Sequence, residues 1–124
     1  MADAERRKKG EEVIQEVYAG DVVVPPAGAN DFADNMLAQL FAEVWSRDVL
    51  SMRDRRLLLL GAIAALGEGM TFGIQAKAAL KKGELTPEQL REVLVFIVHY
   101  VGYPRAAGLI GVLEKAIQDA QASA

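Results

Sequence analysis

The chain has 124 residues, a length suited to one domain, and its 52% hydrophobic and 25% charged residues are the balance of a folded globular protein. A formal net charge of −3 argues against binding nucleic acid or an anionic membrane surface, since both draw on surplus Lys and Arg. The absence of cysteine excludes disulfides, thiolate nucleophiles and Cys-ligated metal, and a single histidine excludes a multi-His metal site within one chain.

Helical periodicity runs through almost every segment. Residues 3–19 carry Val13, Ile14, Val17 and Tyr18 on one stripe and predict an amphipathic helix, stopped by Gly20-Asp21. The stretch Val22-Val23-Val24-Pro25-Pro26-Ala27-Gly28 cannot continue it, because two prolines break the hydrogen-bond ladder, so residues 20–30 read as a non-helical connector. A second helix starts at Asn30 or Asp31, either of which can cap it. It places Phe32, Met36, Leu37, Leu40, Phe41, Val44 and Trp45 on one broad face. A third runs from about Met52 to Leu66, with Ser51 and Asp54 spaced as a capping box. A fourth, from about Met70 to Lys82, ends in Lys81-Lys82-Gly83, cations followed by glycine as at an ordinary helix stop. Thr86-Pro87-Glu88-Gln89 then supplies an N-cap, a first-position proline and a capping-box glutamine, with Leu85 and Leu90 spaced as a hydrophobic staple. That fifth helix extends to Val101 and stops at Gly102. A last one, from Pro104 to about Ala122, is expected to bury Ala106, Leu109, Ile110, Leu113, Ala116, Ile117 and Ala120. No strand alternation survives, and the fold class is all-α, one domain over residues 1–124.

Two segments, Leu57-Leu58-Leu59-Leu60 and Val93-Leu94-Val95-Phe96-Ile97-Val98, are apolar around the whole helix and need cover on every side. A domain this thin predicts that other subunits supply part of it. The longest uncharged runs, 57–67 and 93–104, fall short of the ~20 residues that span a bilayer. The basic start Arg6-Arg7-Lys8-Lys9 is followed by no apolar segment, so the expected location is cytoplasmic.

Four pieces in order carry a resemblance: Arg6 to Val13, Phe41-Ala42-Glu43-Val44-Trp45-Ser46-Arg47, Arg53 to Gly67, and Ala78 through Thr86-Pro87-Glu88-Gln89-Leu90-Arg91-Glu92 to Tyr103-Pro104-Arg105-Ala106-Ala107. Together they resemble the carboxymuconolactone decarboxylase family, which includes the alkyl hydroperoxidase D-like proteins. The resemblance implies an all-helical domain of about six helices around a central antiparallel hairpin. It also implies a homo-oligomer, a hexamer built as a trimer of dimers or a trimer. Peroxidase members of the family carry Cys-x-x-Cys-x-x-x-His, which falls here on Glu68, Thr71 and Gln75. The lactone decarboxylases' Glu-Glu-x-x-x-His falls on Met70, Thr71 and Gln75. Thiol peroxidase chemistry is therefore excluded, and Gln75 can orient a ligand but cannot move a proton near pH 7.

The residues left to carry chemistry each have two readings. His99, the one side chain of a type that titrates near neutrality, is either a buried imidazole bonded to a neighbouring helix or a pocket acid–base group. On a helical wheel it shares a face with Glu92, Val95, Phe96 and Tyr103. Glu68, between two glycines, is an exposed loop carboxylate or the proton acceptor of the altered site. Arg53, Arg55 and Arg56 bind a substrate carboxylate or pair with Asp48, Asp54 or acids of another subunit. Arg105 donates to a ligand near His99 or is a surface cation, and Tyr100 and Tyr103 are wall or interface aromatics. The functional expectation is a cofactor-free, metal-free lyase or isomerase acting on a small carboxylated lactone or organic acid. In it His99 moves the proton, Glu68 assists, Thr71 and Gln75 contact substrate, and Arg53, Arg105 and Tyr100 bind it. The alternative is a non-catalytic oligomer that keeps the fold and pocket to bind an apolar acid or a protein partner.

Overall fold

The computed structural model describes residues 4–123, which are helical with irregular connections and contain no strand. Two compact units partition the chain, Met1–Met52 and Arg53–Ala124.

In the first unit, α1 (Ala4–Val17) buries Val13, Ile14 and Val17 of the predicted stripe, while Tyr18 lies just past the helix end and is half-buried. It packs on a segment that begins as α2 (Asp31–Asn35) and continues as a π-helix over Met36–Val44. Of the two possible caps it is Asn30 that serves, its Oδ1 accepting from Ala33 N at 2.7 Å. The continuation into π winding is a departure from the predicted α-helix. The Trp45 amide donates to Leu40 O, five residues back, at 2.9 Å. Ala33, Leu37, Ala38, Phe41, Ala42 and Trp45 are buried, at spacings of four and five that suit a turn wider than 3.6 residues. Phe32, in α2, and Leu40 and Val44, in the π-helix, all expected on the same face, are exposed. Gly10 allows the contact with α1: a Cβ there would lie 1.9 Å from Leu37 O, so no side chain fits. Arg7 is buried beneath the connector. Its Nε donates to Asp34 Oδ1 at 2.7 Å and Nη2 to Pro25 O at 2.7 Å, while Nη1 meets Glu11. This tethers the non-helical connector to two helices.

The second unit contains α3 (Met52–Leu66) from its second residue onward, α4 (Gly69–Lys81), α5 (Pro87–Val101), α6 (Tyr103–Ala106) and α7 (Leu109–Ala122). Its core unites Leu60 and Ala64, Phe72 and Ala76, Leu90, and Leu113 from four of these helices. The capping box of α5 forms as predicted, Gln89 N donating to Thr86 Oγ1 at 3.1 Å and Thr86 N to Gln89 Oε1 at 3.0 Å. Leu85 and Leu90, the staple pair, are both buried. The predicted last helix is two helices, broken at Ala107-Gly108 where Gly108 and nearby Gly111 weaken helical propensity. The break leaves Ile110 exposed, against the expectation that it is buried. No helix among the described residues is long and apolar enough to cross a membrane.

Candidate functional site

The residues matching the family's reactive stretch lie on α4, and its entrance is set by two of them. Gly67 turns the chain with φ +66°, and a Cβ there would crowd Arg105 O at 3.3 Å, so α4 begins close under α6. Glu68 is extended and caps α4: its Oε1 accepts from Met70 N at 3.1 Å, its Oε2 from Thr71 N at 2.9 Å and from the Thr71 hydroxyl. The Thr71 hydroxyl bond above all, then the Thr71 and Met70 amides, hold this exposed carboxyl below its ordinary range, outweighing slight desolvation. Glu68 and Thr71 are thus brought together, with the acid ionised and committed to the helix end.

Gln75, one turn deeper, is buried. Its Oε1 accepts from Arg56 Nη1 at 2.6 Å, and Arg56 Nε donates to Glu84 Oε1 at 2.9 Å. Arg56 is completely buried, Arg53 Nε donates to Glu84 O at 3.0 Å, and Arg53 also faces Asp54 at 3.6 Å. A cation from α3, an amide from α4 and an acid from the turn before α5 therefore form one buried ion-pair cluster. Arg53 faces Asp54 as expected, whereas Arg56 pairs with Glu84 of the same chain, an acid outside the expected set of Asp48, Asp54 and acids of another subunit.

His99 is exposed on α5, contrary to the reading of a buried imidazole bonded to another helix. Its Nδ1–H donates to Val95 O of its own helix at 2.9 Å, which orients the ring and leaves the neutral imidazole's lone pair on Nε2. The ring lines a groove of about 380 Å³ between α5, α6 and α7. Buried Leu94, Val98, Ala106 and Leu113 make its floor, and exposed Val95, Tyr103 and Ile110 its walls. Two helical turns from His99, Arg91 and Glu114 form a bidentate pair across the rim, with Nε–Oε2 and Nη2–Oε1 both 2.9 Å. Arg91 lowers the Glu114 carboxyl below its usual range, and Glu114 raises the guanidinium in turn.

Of the predicted site residues, the structure unites Glu68 with Thr71 on one end of α4, and Gln75 with Arg56 in the core. His99 shares the groove with Tyr103. Glu68, Thr71, Gln75, Arg53, Arg105 and Tyr100 do not line that groove. Tyr100 is 78% exposed and packs its ring 5.4 Å from that of Phe96. Arg105 is exposed on α6. Sequence reasoning passed over Arg91, Glu114 and Glu84. The signal for the first two is a charge on each of two otherwise apolar helical faces, which pair once α5 meets α7.

The chain is cysteine-free and all-α, and no group of three or more potential metal ligands occurs among the described residues. The model of the carboxymuconolactone decarboxylase family matches residues 30–115, and the chain belongs to that family. No curated protein matches it.

Proposed function

We propose that this chain is a cofactor-free member of the family that binds a small organic molecule in the groove between α5, α6 and α7. The observation that carries the reading is the groove itself, an apolar floor with a histidine and a charge pair at its rim, the usual make-up of a small-molecule site. Thiol chemistry is outside it, since the chain has no cysteine. The reading includes a cytoplasmic location and self-association through the exposed apolar face of α5. Its test is amide NMR during titration with a panel of neutral and anionic aromatic compounds. Resonances of residues 91–99 and 103–114 should move for at least one compound and should stop moving in Ile110→Trp, which fills the groove from an exposed position. A panel that moves none of them overturns the reading.

A lyase or isomerase acting on a small carboxylated lactone or organic acid is the second reading, and His99 favours it as a proton-exchanging group beside an apolar cavity. It requires the carboxylate to be held by a cation, and Arg53 and Arg105 stand outside the groove lining. Glu68 likewise is tied to the end of α4. If turnover exists, His99→Gln should lower it by about 10²–10⁴-fold. Turnover within threefold of wild type removes His99 from the reaction.

A further inference from the structure

We infer that the occupant of the groove is a neutral, elongated, largely aromatic or apolar molecule bearing one hydroxyl-type hydrogen-bond donor, and not a carboxylate. The inference rests on the groove being the binding site and goes further by naming the ligand's chemistry. Three observations carry it. First, the only full charges in the lining are Arg91 and Glu114, and they cancel in a bidentate pair, so the rim offers an anion no uncommitted cation. A carboxylate entering there would also meet the Glu114 carboxylate. Second, Nδ1 of His99 is occupied by Val95 O, and in the neutral ring the remaining atom, Nε2, accepts a hydrogen bond and donates none. It therefore selects an O–H or N–H and rejects a deprotonated oxygen. Third, Arg91 and His99 stand eight residues apart on one helix, about 12 Å along its axis at 1.5 Å per residue, over a floor of Leu94, Val98, Ala106 and Leu113. A two-ring molecule lying along α5 would cover that floor and still reach His99.

The test compares 4-phenylphenol, biphenyl and biphenyl-4-carboxylate, matched in shape, by NMR titration of the full chain at pH 8. The phenol should bind at least tenfold more tightly than the carboxylate and more tightly than biphenyl. His99→Phe should erase the phenol's advantage over biphenyl, and His99→Gln, which restores an acceptor, should return part of it. His99 is exposed, so neither change threatens folding. Glu114→Gln releases Arg91 and should raise carboxylate affinity about tenfold or more. A carboxylate that binds wild type as well as the phenol does overturns this inference and leaves the groove reading intact. So does a phenol advantage that survives His99→Phe. If all three probes leave residues 91–114 unmoved while other compounds of the panel move them, the inference alone fails. If nothing moves them, both readings fail.

Discussion

Glu68 uses its carboxylate to close the start of a helix. A carboxylate held by the Thr71 hydroxyl and two amides at a helix start is stabilised as the anion by both the bonds and the helix dipole. Its folded-state pKa lies below the unfolded one, so its contribution is full above the ordinary carboxylate range. That contribution is lost as pH falls through the folded value. Glu68→Ala should therefore lower the melting temperature at pH 7, and the difference from wild type should shrink on acidification below about pH 4. Side-chain carboxyl NMR should show Glu68 titrating below 4.5. Arg56 makes the opposite case, a fully buried charge whose partners Gln75 and Glu84 are buried with it. Arg56→Met strands the Glu84 carboxylate and should cost about 3–5 kcal/mol in urea unfolding. Arg56→Met combined with Glu84→Leu should recover most of that loss, since no buried charge then lacks its counterpart. Gln75 thus serves as an acceptor for a structural guanidinium.

The elements differ in how far local residues dictate them. Thr86, Pro87 and Gln89 contain their own instruction to start a helix, and α5 runs over the predicted 87–101. Thr86→Ala should cost about 1 kcal/mol of unfolding free energy, by removing the acceptor of the Gln89 amide. Residues 36–44 contain no such instruction, because an apolar stripe read every three or four residues is compatible with either winding. Against this segment Gly10 lets α1 approach Leu37 closely. Gly10→Ala should cost more than the cap, about 1–3 kcal/mol or above, because its neighbour is backbone rather than a side chain that can swing away. The split between α6 and α7 was equally hidden: Ala107-Gly108 is a weak point whose use depends on what Ile110 is required to cover. The groove was legible in part. His99 and Tyr103 could be picked by residue type, whereas Arg91 and Glu114 are 23 positions apart and become a pair only when α5 meets α7.

For the whole molecule, the apolar surface left over after folding drives the remaining argument. The sequence asked how two helices apolar on all sides could be covered, and the second unit leaves Leu58 of α3 and Phe96 and Tyr100 of α5 exposed. Burying a large apolar side chain is worth about 1.5–3 kcal/mol, and the adjoining exposed rings of Phe96 and Tyr100 are apolar surface of the kind that marks association sites. Self-association through the Phe96–Tyr100 pair predicts that the 13.4 kDa chain sediments as an oligomer at micromolar concentration, in a multiple of three if it follows the resemblance. Phe96→Glu with Tyr100→Glu is the informative variant. Both rings are already in solvent within the single chain, at 59% and 78% exposure, so carboxylates there remove the contact between the two rings but displace no buried side chain. Across an interface the same carboxylates would be desolvated without partners, at several kcal/mol. The double variant should then sediment as a monomer with unchanged helical circular dichroism. Neither ring lines the groove, so a small-molecule probe should still move the resonances of residues 91–114 in that monomer. A wild-type chain that is monomeric at tens of micromolar would overturn self-association and leave the groove to be judged by its ligands.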